Sequence, residues 1–284
     1  MIKQEDSIIK HDSLIFEHMQ MAHKKNILIE NHSLYSEFLH RDVKVDFYLP
    51  VNIRNDTRLL LINDGQLMEE MNFADILEQF HTSYKGHSLV CVAIHAGKER
   101  KMEYGIASQA DYKGRGAKAN LYTAFVLKEL FPFVREKISF DFSEKAFAGF
   151  SLGGLSALDI VWNHSDIFSK VAVFSGSFWW RSVDQKDKNY ADDKHRIMQQ
   201  VIRNDNYKPG LKFFFQCGNM DETKDRNNNG IIDSIDDTLD IIKELKQKGY
   251  DATNDIFYLE MKEGRHDEKT WAKVFPVFLQ WAYK

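Results

Sequence analysis

The chain of 284 residues is poor in the residues that staple or interrupt a fold. Its two cysteines, Cys91 and Cys217, are too few for a disulfide framework, and both sit in apolar runs that read as buried strands. No CxxC pair or Cys/His cluster at zinc spacing is present. The four prolines mark no domain boundary. No apolar run reaches the roughly 18 residues that a membrane helix needs. Charge of either sign is nearly balanced, with 38 Lys+Arg against 42 Asp+Glu and a net charge of −4. That balance, without a polybasic run, gives no reason to expect nucleic acid or an anionic membrane as partner. The opening Met1-Ile2-Lys3-Gln4-Glu5-Asp6 lacks the basic start and apolar stretch of a secretory signal, so the expected location is cytoplasmic. No signal for an oligomeric state is evident.

What is abundant is core material: 43% hydrophobic residues and 13% aromatic, including 21 Phe. Disorder is excluded for most of the chain. At about 150 residues per domain the length suits two domains or one large one, and no repeat or linker divides it. Residues 1–34 read as an N-terminal arm packing on a single α/β domain over 35–284, with extended pattern setting in from Asn26. Val43, Val45, Phe47 and Leu49 alternate with Lys44, Asp46 and Tyr48 up to Pro50, the period of a half-buried strand. The early strands are expected to form an antiparallel edge. Continuous apolar runs at Arg58–Ile62, Ser88–Ile94, Lys145–Gly149, Val171–Phe174, Leu211–Gln216 and Asp255–Leu259 read as strands buried on both faces. Helical spacing appears at Glu69–Phe80, Leu121–Val134, Leu152–Trp162, Asp236–Lys248 and Glu268–Tyr283. This alternation predicts a mostly parallel sheet with helices on both faces.

The strongest chemical signal is Gly149-Phe150-Ser151-Leu152-Gly153. A GxSxG match alone is weak, since it arises by chance in roughly one chain in ten of this length. Here a short strand leads in and a helix leads out, the setting of a nucleophile elbow. A serine hydroxyl needs a base, and the base an orienting carboxylate, in the order Ser, acid, His. His266 follows the last strand and is the expected base, ahead of His95, His164 and His195. Asp221 follows the preceding strand and is the expected acid, with Glu222 second. Leu152 N–H, at a helix N-terminus, is one expected oxyanion donor. The second is the N–H of Gln66, or else of Leu67, in the loop Asn63-Asp64-Gly65-Gln66-Leu67.

These segments, with Val45–Pro50, Ser175-Gly176-Ser177-Phe178-Trp179-Trp180 and Gly264-Arg265-His266-Asp267 followed by Trp271, resemble the Putative esterase family of α/β-hydrolases, which includes esterase D-like, feruloyl and siderophore esterases. The resemblance runs from about residue 35 to the C-terminus. It implies an α/β-hydrolase fold and hydrolysis of a small-molecule carboxylic ester through an acyl-serine, with Ser151, Asp221 and His266 as the triad. An acyltransferase or thioesterase would use the same triad. A non-catalytic calcium-responsive module is the reading from another class. Arg100 and Tyr104 resemble a family segment near the cleft, and Trp179 and Trp180 are expected to wall the substrate pocket. Asp111–Gly116 reads as a mobile surface loop.

One further motif stands apart. Asp225 to Asp236 matches a twelve-residue calcium loop, with Asp225, Asn227 and Asn229 at positions 1, 3 and 5, Gly230 at 6, the Ile231 carbonyl at 7, and Asp233 and Asp236 at 9 and 12. A calcium ion there would brace the loop after Asp221. No cofactor is expected for catalysis.

Overall fold

The computed structural model describes residues 26–284 apart from positions 55, 85, 87 and 140. Residues 1–25 of the expected arm lie outside the described residues. Its last part, from Ile27, runs in the first strand.

Eight strands form one sheet: β1 (Ile27–Ser36), β2 (Arg41–Pro50), β3 (Arg58–Asn63), β4 (Leu89–Ile94), β5 (Lys145–Phe150), β6 (Lys170–Phe174), β7 (Lys212–Met220) and β8 (Ile256–Arg265). Their spatial order is β1-β2-β4-β3-β5-β6-β7-β8. β1 pairs with β2, and β2 with β4, antiparallel, while the strands from β4 to β8 are all parallel. This is the α/β-hydrolase arrangement, with the expected antiparallel N-terminal edge.

The helices are α1 (Phe73–Ser83), α2 (Arg100–Glu103), α3 (Ala119–Phe125), α4 (Phe131–Ile138), α5 (Leu152–Asn163), α6 (Asp192–His195), α7 (Ile197–Asn204), α8 (Asp233–Lys248) and α9 (Glu268–Tyr283). The single helix expected over Leu121–Val134 is instead α3 and α4 joined through a π-helical stretch, Val126–Leu130.

The strand period of two divides the core. Leu59, Leu61, Val90, Val92, Phe213 and Phe215 join one buried cluster, with residues of α3, α4 and α5. Leu60, Ile62, Cys91, Ala93 and Phe214 join the other, with α1 and α9. Both faces of the central strands are therefore dry, which is why their sequences read as unbroken apolar runs. Both cysteines are buried and free. Among the described residues, no helix is long and apolar enough to cross a membrane.

Candidate active site

Ser151 sits between β5 and α5 with φ 53° and ψ −119°. A non-glycine residue held there is strained, and such strain persists only where the surroundings enforce it. The enforcement is visible. Ser151 N–H donates to Phe174 O at 2.9 Å, and Ser177 N–H donates to Ser151 O at 3.1 Å. The flanking glycines have no room for side chains: a Cβ on Gly149 would lie 2.2 Å from Gly153 O, and one on Gly153 would lie 2.5 Å from Asp64 Oδ2. The Ser151 hydroxyl is 3.3 Å from that of Ser177.

Strand register delivers the other two groups. β7 and β8 are parallel, and Met220 pairs with Arg265. The next residues, Asp221 and His266, therefore leave neighbouring strands side by side. Close approach of the strand ends depends on Gly218, whose added Cβ would lie 2.3 Å from Gly264 O. β8 runs to Arg265, so His266 stands one residue past a strand longer than its apolar run. Trp271 of α9 ties these parts together. Its ring lies 5.0 Å from Phe150, the neighbour of Ser151, and 5.4 Å from His266. Its Nε1–H donates to Ser175 Oγ at 3.0 Å.

Both Asp221 oxygens are buried, with no donor at full hydrogen-bond geometry among the described residues. Burial pushes the carboxyl above the usual aspartate value, while the Gly218 backbone N–H, the Ser175 hydroxyl and the His266 ring pull the other way. His266 is exposed at the rim, yet crowding by protein takes enough water from the ring to hold its pKa below the ordinary value. The Asp221 carboxylate raises it and the Arg100 guanidinium lowers it further. Glu222 is pushed up by burial, and its charged neighbours are Asp233, Lys224 and Asp237. The other histidines lie elsewhere: His164 caps the end of α5, His195 accepts from Ala191 N–H at 2.9 Å, and His95 Nε2 is 2.5 Å from Asp46 Oδ2.

The loop after β3 stands on the other side of Ser151. Asp64 has φ 62° and leads into a 3-10 turn, Gly65–Leu67. As the first residue of α5, Leu152 has no intrahelical acceptor for its N–H. Gln66 N–H likewise meets no backbone acceptor among the described residues. A buried polar set, missed by sequence reasoning, fixes the two segments relative to each other. Asn63 Nδ2 donates to Gly153 O at 2.8 Å, and Tyr122 Oη–H donates to Asn63 Oδ1 at 2.5 Å. Arg100 holds Asp64 through two hydrogen bonds, of 2.6 and 2.7 Å. Asp64 N–H donates to Tyr104 Oη at 3.2 Å.

Two expected substrate contacts are thereby corrected. Tyr104 is wholly buried and supports the Asp64 turn. Trp180 is also wholly buried, in a slot where a Cβ on Gly105 or Gly116 would come within 2.8 Å of it. Trp179 is half-buried, with the Arg115 guanidinium 4.8 Å from its ring centroid. Arg100 is 30% exposed beside the site. The Asp111–Gly116 loop is anchored, because buried Asp111 accepts hydrogen bonds from Lys113 N–H, Arg115 N–H and the Arg115 guanidinium. That dense bonding was invisible to composition, which suggested only a mobile loop.

In the Asp225–Asp236 loop, Asp225 accepts from Gly230 N–H at 2.9 Å, and Asn229 Oδ1 accepts from Ile231 N–H at 2.8 Å. The Asn227 and Asn229 amides both donate to Asp236 Oδ2 at 2.9 Å. Asp233 turns away and accepts from Arg226 N–H at 2.8 Å. Positions 1, 3, 5 and 12 thus converge and position 9 does not. No cluster of three or more His, Cys, Asp or Glu suited to a metal occurs among the described residues.

Residues 36–282 match the family model described as Putative esterase. The uncharacterized protein YbbA of Bacillus subtilis (strain 168) is 22% identical over 246 residues, covering 83% of this chain and 90% of that protein. Among solved structures, a ferulic acid esterase superposes with TM-score 0.67 at 17% identity, covering 92% of this chain and 99% of that one. The enterobactin esterase of Shigella flexneri superposes with TM-score 0.66 at 17% identity, and the match covers 90% of this chain and 60% of that one. With the family model spanning most of its length, this chain belongs to the Putative esterase family and is a carboxylic ester hydrolase of the α/β-hydrolase fold.

Proposed function

We propose that the protein is a serine esterase that cleaves a small-molecule carboxylic ester through an acyl-serine intermediate. Ser151 Oγ attacks the acyl carbon while His266 takes its proton. Asp221 orients the imidazole and stabilises its charged form. The N–H groups of Leu152 and Gln66 receive the oxyanion. His266 then gives its proton to the leaving alcohol, and water, activated by the same ring, releases the acid.

The observation that carries this reading is the strained backbone of Ser151 at a strand–helix junction. The placement of Asp221 supports it, because that residue leaves β7 beside the end of β8 that carries His266, and the His266 charge acts on its carboxylate. The same electrostatics favour Asp221 over Glu222 as the acid, since His266 is among the charges that act on Asp221. Arg100 and Trp179 are the substrate contacts in this reading. The names of the structural neighbours, a ferulic acid esterase and an enterobactin esterase, make aryl esters and trilactones the first substrates to try. The Asp225–Asp236 loop would take calcium in a bracing role outside the chemistry.

The test is Ser151→Ala assayed on such a panel. Turnover is expected to fall by several orders of magnitude with the thermal transition retained, and wild-type turnover in the variant would end the proposal. Thioesters and added alcohol acceptors in the same panel separate a thioesterase or acyltransferase from an esterase.

A further inference from the structure

A second acid–imidazole pair, outside the proposed triad, abuts the loop that carries Gln66. His95 follows β4, and its backbone N–H donates to Lys44 O at 2.9 Å. Its Nε2 lies 2.5 Å from Asp46 Oδ2, and Asn31 Nδ2 donates to Asp46 Oδ1 at 2.7 Å. Neighbouring strands β1 and β2 therefore hold the ring in place through its carboxylate partner.

The ring packs directly on the oxyanion loop. A Cβ on Gly65 would lie 2.8 Å from both His95 Cδ2 and the Ala93 carbonyl carbon. Ala96, next to His95, donates its N–H to Gln66 Oε1 at 3.0 Å, and Gln66 Nε2 donates to Asp64 Oδ1 at 3.1 Å. The His95 ring thus stands close behind Gly65, leaving no room for a side chain there, while the Gln66 side chain is tied on both flanks. A cavity of about 400 Å³ borders the same residues, with Asp46, Gly65, Gln66 and His95 in its lining. Without the imidazole the loop has space into which to relax.

We propose that His95, held by Asp46, is a positioning residue for the oxyanion hole: it fixes the Gly65–Gln66 peptide so that the Gln66 N–H points at the developing oxyanion. This rests on the assignment of Gln66 as a donor under the proposed function. Loss of a whole oxyanion donor costs about 100- to 1,000-fold in kcat, so loosening one should cost about 10- to 100-fold.

The experiment compares His95→Ala, Asp46→Asn and Gln66→Pro with the wild type, using an aryl ester and a boronic acid that mimics the tetrahedral state. Gln66→Pro removes the N–H itself. Expected for His95→Ala is a loss of about 10- to 100-fold in kcat and in boronate affinity, with KM within about twofold. Asp46→Asn should fall between it and the wild type, and should carry the same kcat-against-KM test if His95→Ala does not fold. Unchanged kcat in His95→Ala or in Asp46→Asn, with a large loss in Gln66→Pro, overturns the positioning role and spares the Gln66 assignment. Unchanged kcat in Gln66→Pro overturns that assignment and the positioning role with it. A His95→Ala loss as deep as that of Ser151→Ala would make His95 the base and overturn both.

Discussion

Replacing Asp221 by Asn should separate activity from stability. The carboxyl is buried, with no donor at full hydrogen-bond geometry among the described residues, and burial raises its pKa in the fold. An acid whose folded pKa exceeds its unfolded value of 3.8 costs stability as pH rises above 3.8, and the full cost is present above the folded pKa. Removing the charge at neutral pH should therefore leave the fold at least as stable as the wild type. Catalysis should move the other way. In the worked triad template, the same change lowers kcat by about 10⁴, which is about 5 kcal/mol of barrier. The pH profile adds a signed test. Wild-type kcat/KM requires neutral His266 and should fall as pH drops through a pKa below 6.5. Asp221 is the main group raising that pKa, while desolvation and Arg100 lower it. In Asp221→Asn the acid limb should therefore shift to still lower pH. The assays are thermal unfolding at pH 7 and kcat/KM between pH 4 and 9. A limb that stays put or moves up, or a kcat loss under tenfold, would refute the reasoning.

Three other outcomes follow from packing and charge. Gly153→Ala should lower kcat strongly, because its Cβ would sit 2.5 Å from Asp64 Oδ2 and 3.0 Å from Asn63 Cβ, prising the loop after β3, the proposed oxyanion loop, from α5; steady-state kinetics check it. Arg226→Met should destabilise the fold by about 1.5–3 kcal/mol in urea unfolding, since this buried guanidinium is 2.7 Å from both Asp192 Oδ2 and Asp237 Oδ1, and its loss leaves buried Asp237 to Arg196 alone. Millimolar calcium should raise the melting temperature of the wild type but not of Asp225→Ala, with magnesium as control; no difference between the two proteins would remove the metal from the account.

The sequence revealed most where physics is local. The runs at β3 and β4 are apolar on both faces because both faces are covered, and such runs announce a buried strand by themselves. The bounds expected for α9 coincide with those observed because its apolar stripe repeats from end to end. Ser151 was legible because the elbow constrains its immediate neighbours. The ends of β7 and β8 were not: Asn219, Met220, Lys262 and Glu263 are exposed, so pairing there leaves no apolar pattern. The buried set of Asn63, Asp64, Tyr104 and Tyr122 was also hidden. It draws on two strand-end residues and two distant tyrosines, and only the folded chain brings them together. Tyr104 was expected at the substrate from the resemblance of its segment and Trp180 as an aromatic after a strand end, and for both residues burial decides for packing.

Trapping the acyl group tests the central claim most directly. An activated aryl ester would be mixed with the protein, quenched in acid within the first turnover, and the digest read by mass spectrometry. The expected result is the acyl mass on the peptide containing Ser151 and on no other, with the adduct lost in Ser151→Ala. Ester hydrolysis that proceeds under these conditions while Ser151 stays unmodified, with the acyl group on another side chain, would contradict it.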